Sequence, residues 1–259
     1  MWVDGWGYLD QLFVAMTILA PLFALTAAIY ASVGFGGGST YTALLILFET
    51  PIALVPAISL ACNIIVVSGG TLRFARAGDM PWAKALPLVG IAAPLAFLGG
   101  LTPVKEGVLV WLLGGSLLVS ALLLLAQPQS AKPRQLPRWL LYPVAGALGL
   151  LAGIVGIGGG IFLAPILHLI RWAEARQVAA TASLFILTNS LFGLAGQLVK
   201  GQGSALAATV AAHWPLLIAA LVGGTIGTHV AIRLANPVLL RRLTALLVGF
   251  VAVRLLTGW

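Results

Sequence analysis

Long apolar blocks dominate the chain, filling residues 11–33, 52–72, 85–101 and 107–126, and then 139–155, 178–199, 213–232 and 238–257. Each is long enough to cross a bilayer as a helix, and none shows the apolar/polar alternation of a barrel strand. Two apolar segments are shorter, 39–48 and 161–170, and are too short to cross as unbroken helices. Both follow a glycine turn, Val33-Gly34-Phe35-Gly36-Gly37-Gly38 in one case and Val155-Gly156-Ile157-Gly158-Gly159-Gly160 in the other. The pattern predicts an all-α, polytopic integral membrane protein whose helices are interrupted twice by glycine.

The repetition extends past the glycines. Gly156 follows Gly34 by 122 positions, Ser183 follows Ser59 by 124, and Pro215 and Gly227 follow Pro87 and Gly99 by 128. Matches in the same order with a slowly growing offset indicate a duplicated half. The only polar, proline-rich stretch, 127–138, falls at the midpoint. The expected organisation is therefore an N-terminal repeat over 1–127, a basic linker over 128–137 and a C-terminal repeat over 138–259.

Composition agrees with the membrane reading: 61% of residues are hydrophobic, 8% are charged and mean hydropathy is +1.09. The net charge of +8 would suggest nucleic acid in a soluble protein, but here its placement suggests orientation. If each half makes five membrane segments and the N-terminus starts outside, 11 of the 14 basic residues fall in inside loops. These are Arg73, Arg76, Lys84, Lys132, Arg134, Arg138, Arg171, Arg176, Arg233, Arg241 and Arg242. Lys105, Lys200 and Arg254 fall outside with Asp4, Asp10, Glu49 and Glu106. An odd number of crossings inverts the second half relative to the first, an arrangement that in secondary transporters places the substrate at the repeat interface. The expected location is the bacterial inner membrane, multi-pass, with the linker cytoplasmic. The N-terminus has no basic region typical of a cleaved signal peptide.

Candidate chemistry centres on the two turns. Glycine admits positive φ and exposes backbone N–H groups, and a helix N-terminus favours an anion. The candidate substrate-binding residues are Gly36, Gly37, Gly38, Ser39, Thr40, Gly158, Gly159 and Gly160, joined by the intramembrane polar residues Ser59, Asn63, Ser183, Thr188 and Asn189. Glycine clusters in membrane helices also serve close packing. That is the preferred reading for Gly99-Gly100 and Gly223-Gly224, whereas duplication and the short following helix favour a ligand role for the two turns. Asn63 and Asn189 are expected to face a cavity; for Ser68 and Ser190 a helix-to-helix hydrogen bond is an equal alternative. Each of His168, His213 and His229 reads as an interfacial residue before it reads as a proton relay, and most tryptophans as interface anchors. The lone Cys62 provides no disulfide framework or metal-ligand cluster, and no catalytic motif or cofactor site is recognised, so an enzyme is not expected.

The residues Gly34 to Gly38 and Gly156-Ile-Gly-Gly-Gly-Ile-Phe-Leu-Ala-Pro165, each followed by a serine-containing span, resemble the TauE/SafE family of sulfite and organosulfonate exporters. Ala43 stands where the first repeat would carry the proline, a departure from symmetry between the short helices. The resemblance implies a transporter of small sulfur-containing anions such as sulfite or sulfoacetate, with export driven by the proton-motive force. Its partners would be the small anion and membrane lipid, with no nucleic acid; a homo-oligomer is left open. A small-anion channel, an importer and a non-transporting assembly subunit are the competing readings.

Overall fold

A computed structural model of the chain describes residues 5–32, 34–126, 138–200, 203–229 and 237–257, and all regular structure within them is helical. The linker at 128–137, Asp4, Arg233 and Trp259 lie outside the described residues. The first half contains α1 (Gly5–Ser32), the short α2 (Gly38–Leu47), α3 (Val55–Arg76), α4 (Trp82–Leu101) and α5 (Glu106–Ala126). The second contains α6 (Leu141–Val155), the short α7 (Gly160–Leu169), α8 (Ala175–Lys200), α9 (Gly203–Ala212), α10 (Trp214–His229) and α11 (Pro237–Thr257).

The spans predicted from hydropathy match these helices closely, with one addition. Helix α9 falls in a segment between two predicted spans. Its sequence, Gly-Ser-Ala-Leu-Ala-Ala-Thr-Val-Ala-Ala, is rich in the strongest helix former and as apolar as α2, but at ten residues it is too short to be read as a span of its own. The chain then bends by 61° between Leu206–Ala212 and Trp214–Thr228. Pro215 fits the break at His213, because it has no N–H to donate to the Ala211 carbonyl and so cannot continue the helical ladder across it.

By length and hydropathy, Val55–Arg76, Trp82–Leu101, Glu106–Leu123 and Ala175–Lys200 can each cross a bilayer. Their outward faces are apolar: Trp111 is 65% exposed, Leu98 49% and Phe192 44%, a surface suited to lipid. Small residues let the helices approach closely. The α-carbon side of Gly99 faces the Leu150 carbonyl, and that of Gly227 faces the Ala28 carbonyl, contacts that leave no room for a Cβ. Gly223 packs on Ala24 in the same way, so the close-packing reading of these glycines holds.

Packing between the halves is reciprocal. Helix α1 lies mainly against α10, as α6 lies against α4; α3 crosses α8 and α5 crosses α11. Individual contacts recur as well, since Gly99 on Leu150 becomes Gly227 on Ala28 after shifts of 128 and 122 positions. Each half thus completes the other's core. Gly227→Val would drive a branched side chain into the α1 backbone. It should cost about 3 kcal/mol by overpacking and lower the melting temperature by roughly 5–10 °C, measured by thermal denaturation of the purified protein.

Side-chain contacts sort the loop charges to two ends of the molecule. At one end Arg176 pairs with Asp79 at 3.8 Å, Arg73 donates to the Thr228 carbonyl at 2.9 Å, and Lys84 lies over the Trp172 ring at 5.8 Å. At the other end Lys200 donates to the Thr102 carbonyl at 3.4 Å and Arg254 lies 3.9 Å from Glu49.

Candidate anion site between two half-helices

The glycine turns bring the chain from the end of one helix back to the interior. At the start of the first turn Gly34 lies against the Phe74 ring, near the end of α3 that carries Arg73. Four residues later Gly38 touches Asn63, near the middle of α3, and α2 runs from there to Glu49. The second turn makes the opposite journey. Gly156 lies against Pro56, at the start of α3, while Gly158 has reached Asn63, and α7 then runs to Arg171 at the other end. The two short helices therefore start from one central region and point away from each other.

Local geometry explains why glycine occupies the caps. Gly37 and Gly159 cap α2 and α7 in the left-handed region, with φ of 86° and 78°, which side-chain-bearing residues adopt at a cost. Each short helix has ten residues, about 15 Å at the helical rise. Each also ends in a left-handed residue, Glu49 at φ 60° and Arg171 at φ 47°. The missing proline at Ala43 therefore does not disturb the match in length or caps. It does leave one difference: in α7 Pro165 cannot donate to the Ile161 carbonyl, whereas Ala43 carries the N–H that proline lacks.

The first backbone bonds of α2 run from Thr40 and Tyr41 to the Gly37 carbonyl, and those of α7 from Phe162 and Leu163 to the Gly159 carbonyl. The N–H groups of Gly38, Ser39, Gly160 and Ile161 precede those bonds, at the positive ends of the helix dipoles. Between the two starts stands Asn63, fully buried. A Cβ on Gly38 would meet its Nδ2 at 2.5 Å and the Ile157 carbonyl at 2.7 Å; a Cβ on Gly158 would meet the same Nδ2 at 3.1 Å and Ser190 Oγ at 3.3 Å. Asn63 thus contacts both turns.

Both amide atoms of Asn63, both of Asn189 and the hydroxyls of Ser39 and Ser190 are buried with no hydrogen-bond partner in the protein. Each such group costs about 1–3 kcal/mol when left unpaired in the interior. Asn63 and Ser190 both border Gly158, and Ser39 follows Gly38 at the start of α2, so these groups adjoin the turns. The Tyr41 hydroxyl is likewise unpartnered, with its ring stacked on Phe23 at 4.6 Å.

Ser59, Thr40 and Ser183 already have hydrogen-bond partners within the protein. Ser59 donates to the Gly38 carbonyl at 3.1 Å and accepts from Thr42, which supports the first turn from below. Thr40 shares a hydrogen bond with the Tyr30 hydroxyl at 3.1 Å. Ser183 is bonded to Thr71 at 2.9 Å, joining α3 to α8 rather than facing the turns. Thr188 is half-buried on α8, and no contact brings it to the glycines. Ser68 donates to the Ile64 carbonyl of its own helix at 2.5 Å.

Packing also shifts the correspondence between α3 and α8 by one residue from the sequence pairing of Ser59 with Ser183. Gly36 lies against Asn63 and Val67, and Gly158 against Ile186 and Ser190; Gly70 faces Ser183, and Gly193 faces Leu60. These pairs relate α3 to α8 at one constant offset of 123: 186 and 63, 190 and 67, 193 and 70, 183 and 60. Asn63 is therefore matched by Ile186, and Ser190 by Val67. The two halves supply different polar groups to one shared space.

Comparison with known proteins agrees with this architecture. A family profile described as "Sulfite exporter TauE/SafE" matches residues 19–255. The chain is 32% identical over 245 residues to "Probable membrane transporter protein y4hK" of Sinorhizobium fredii, covering 92% of this chain and 97% of that protein. It is 28% identical over 231 residues to "Probable membrane transporter protein YdhB" of Bacillus subtilis, covering 85% and 90%. No solved structure matches. These names describe transporters rather than enzymes, and with a helical, multi-pass membrane architecture and a match over most of its length, the chain belongs to the TauE/SafE family of membrane transporters.

Proposed function

We propose that the protein is a secondary transporter of small sulfur-containing anions, sulfite or an organosulfonate such as sulfoacetate, bound between the N-termini of α2 and α7. The observation that carries this reading is Asn63, a buried amide unpartnered at both atoms and touching both glycine turns. Backbone N–H groups, two helix dipoles and neutral amides and hydroxyls suit an oxyanion without placing a fixed full charge in the membrane. The sulfur chemistry comes from the family description; the anion class is supported independently by the half-helix geometry.

In this reading the halves are inverted repeats. Helix α2 leads to the Glu49 end and α7 to the Arg171 end, and the end rich in arginine, with Arg73, Arg76, Arg171 and Arg176, is cytoplasmic by the positive-inside rule. Rocking one half against the other would expose the shared site to each side in turn. Export driven by the proton-motive force is part of the proposal.

Flux into proteoliposomes tests it, with sulfite, sulfoacetate, taurine, thiosulfate and sulfate offered separately. The expected result is saturable uptake of at least one sulfur anion, counterflow, and acceleration by an imposed pH gradient. Conductance far above carrier turnover would replace the carrier with a channel. Absence of flux for every sulfur anion, in protein that stays folded, would overturn the substrate class.

A further inference from the structure

The two ends of the α3–α8 crossing occupy equivalent places in the two halves and are built differently. At the arginine-rich end the Phe74 ring covers Gly34, so that a Cβ there would lie 2.5 Å from the ring. At the offset of 123 that relates α3 to α8, the counterpart of Phe74 is Gln197. Gln197 is 4% exposed and its Nε2 donates to the Gly153 carbonyl at 3.1 Å. Where the ring fills space at one end, the amide borders a cavity of about 440 Å³ at the other.

The walls of this cavity come from both halves, with Leu54, Pro56 and Val104 from the first and Ile154, Gln197 and Lys200 from the second. Lys200 is the only charged residue among the described lining, and its amino group is held at the Thr102 carbonyl. Pro56, one of the lining residues, is also the residue against which Gly156 packs, so the cavity borders the turn that leads to Gly158 and Asn63. At the opposite end the position matching Lys200 is Ala77, with no charge to offer.

We propose that this cavity is a second anion site, a staging position through which a small oxyanion passes between the Lys200 end and the central half-helix site. Lys200 supplies the attraction, and Gln197 supplies an amide on the wall. The ligand class rests on the central anion reading, whereas the existence of an anion-selective cavity does not.

Thiol labelling separates the two. Cys62 is the only cysteine and is fully buried, so a cysteine placed on the cavity wall as Val104→Cys reports alone. The purified protein is reacted with an anionic sulfonatoethyl methanethiosulfonate and with its cationic trimethylammonium counterpart. With Lys200 present the anionic reagent should be favoured. Lys200→Ala should lower the ratio of anionic to cationic rates about fivefold, as expected for removing one nearby charge in a partly hydrated site, and Lys200→Arg should preserve it. Ala53→Cys, also on the lining, repeats the measurement should Val104→Cys fold poorly. Failure of either folded cysteine to react, or a ratio unmoved by Lys200→Ala, would overturn the staging site whatever the flux measurements show. A charge-dependent ratio in protein that transports no sulfur anion would retain the cavity and reject the substrate.

Discussion

Asn63→Ala should raise the KM for transport about 10- to 100-fold and so cut flux sharply at substrate concentrations near the KM of the unmodified protein, while leaving the melting temperature unchanged or higher. The two halves of this expectation come from the same observation. Both atoms of the amide are buried without a protein partner, so removing them relieves an unpaired burial cost and breaks no native hydrogen bond. A bound anion would lose one charge-assisted bond, worth about 1.5–3 kcal/mol, a weakening of about 10- to 100-fold. Asn63→Asp should be more severe for binding, because it places a negative charge against the substrate. Flux in proteoliposomes, read beside thermal denaturation, checks both. Full transport in a folded Asn63→Ala protein would remove the amide from the site, and a large loss of stability would show that the amide is structural.

Gly38→Ala is expected to have a comparable effect on transport by a different route. Gly38 is not in the left-handed region, so alanine is acceptable to its backbone and the substitution acts through volume alone. The added methyl would lie 2.5 Å from Asn63 Nδ2 and 2.7 Å from the Ile157 carbonyl, closing the gap between the two helix starts. Overpacking of this kind costs about 1–3 kcal/mol, and the space it fills is the space the substrate would occupy. Transport should fall below detection with the protein still folded and inserted. Gly69→Ala and Gly90→Ala are the matched controls, since nothing lies within 4 Å of a Cβ at either position, and both should transport normally. Equal loss in the controls would assign the effect to helix packing in general.

The two variants differ in what they say about the repeat. Asn63 belongs to the first half alone, because its counterpart is Ile186. Ile186→Asn, which would restore the amide to both halves, tests whether the asymmetry matters. If one amide suffices and the second merely crowds the site, this variant should transport more slowly than the unmodified protein.

Much of the architecture is legible along the chain because bilayer thickness dictates the length of apolar runs, and glycine and proline punctuate them. The short helices at 39–48 and 161–170 are found within one residue of Gly38–Leu47 and Gly160–Leu169. Among the described helices α9 escapes, because its apolar run is only ten residues long and no repeated glycine turn marks its start. The letters also match in order between the two halves, at Gly34 and Gly156 and at Gly99 and Gly227.

Which side chains meet at the site is a different kind of information. Ser59 and Ser183 match as letters, yet Ser183 bonds to Thr71 and lies where the first half has Leu60. Ser190 reads equally well as a helix-to-helix contact, and the structure turns it to Gly158 beside Asn63. Gln197 carries no signal in the sequence beyond being polar near the end of a span. A helix turns by 100° per residue, so an error of one position in matching two helices moves a side chain to another face. Thus the sequence by itself determined the membrane class, all the described α-helices but α9, and the two glycine turns, because these follow from local hydropathy and backbone freedom. Only the tertiary structure decided that both turns converge on Asn63 and that the ends of the α3–α8 crossing are closed by a ring at one side and open at the other. The reason is that helix phase and crossing are set by packing between residues more than a hundred positions apart.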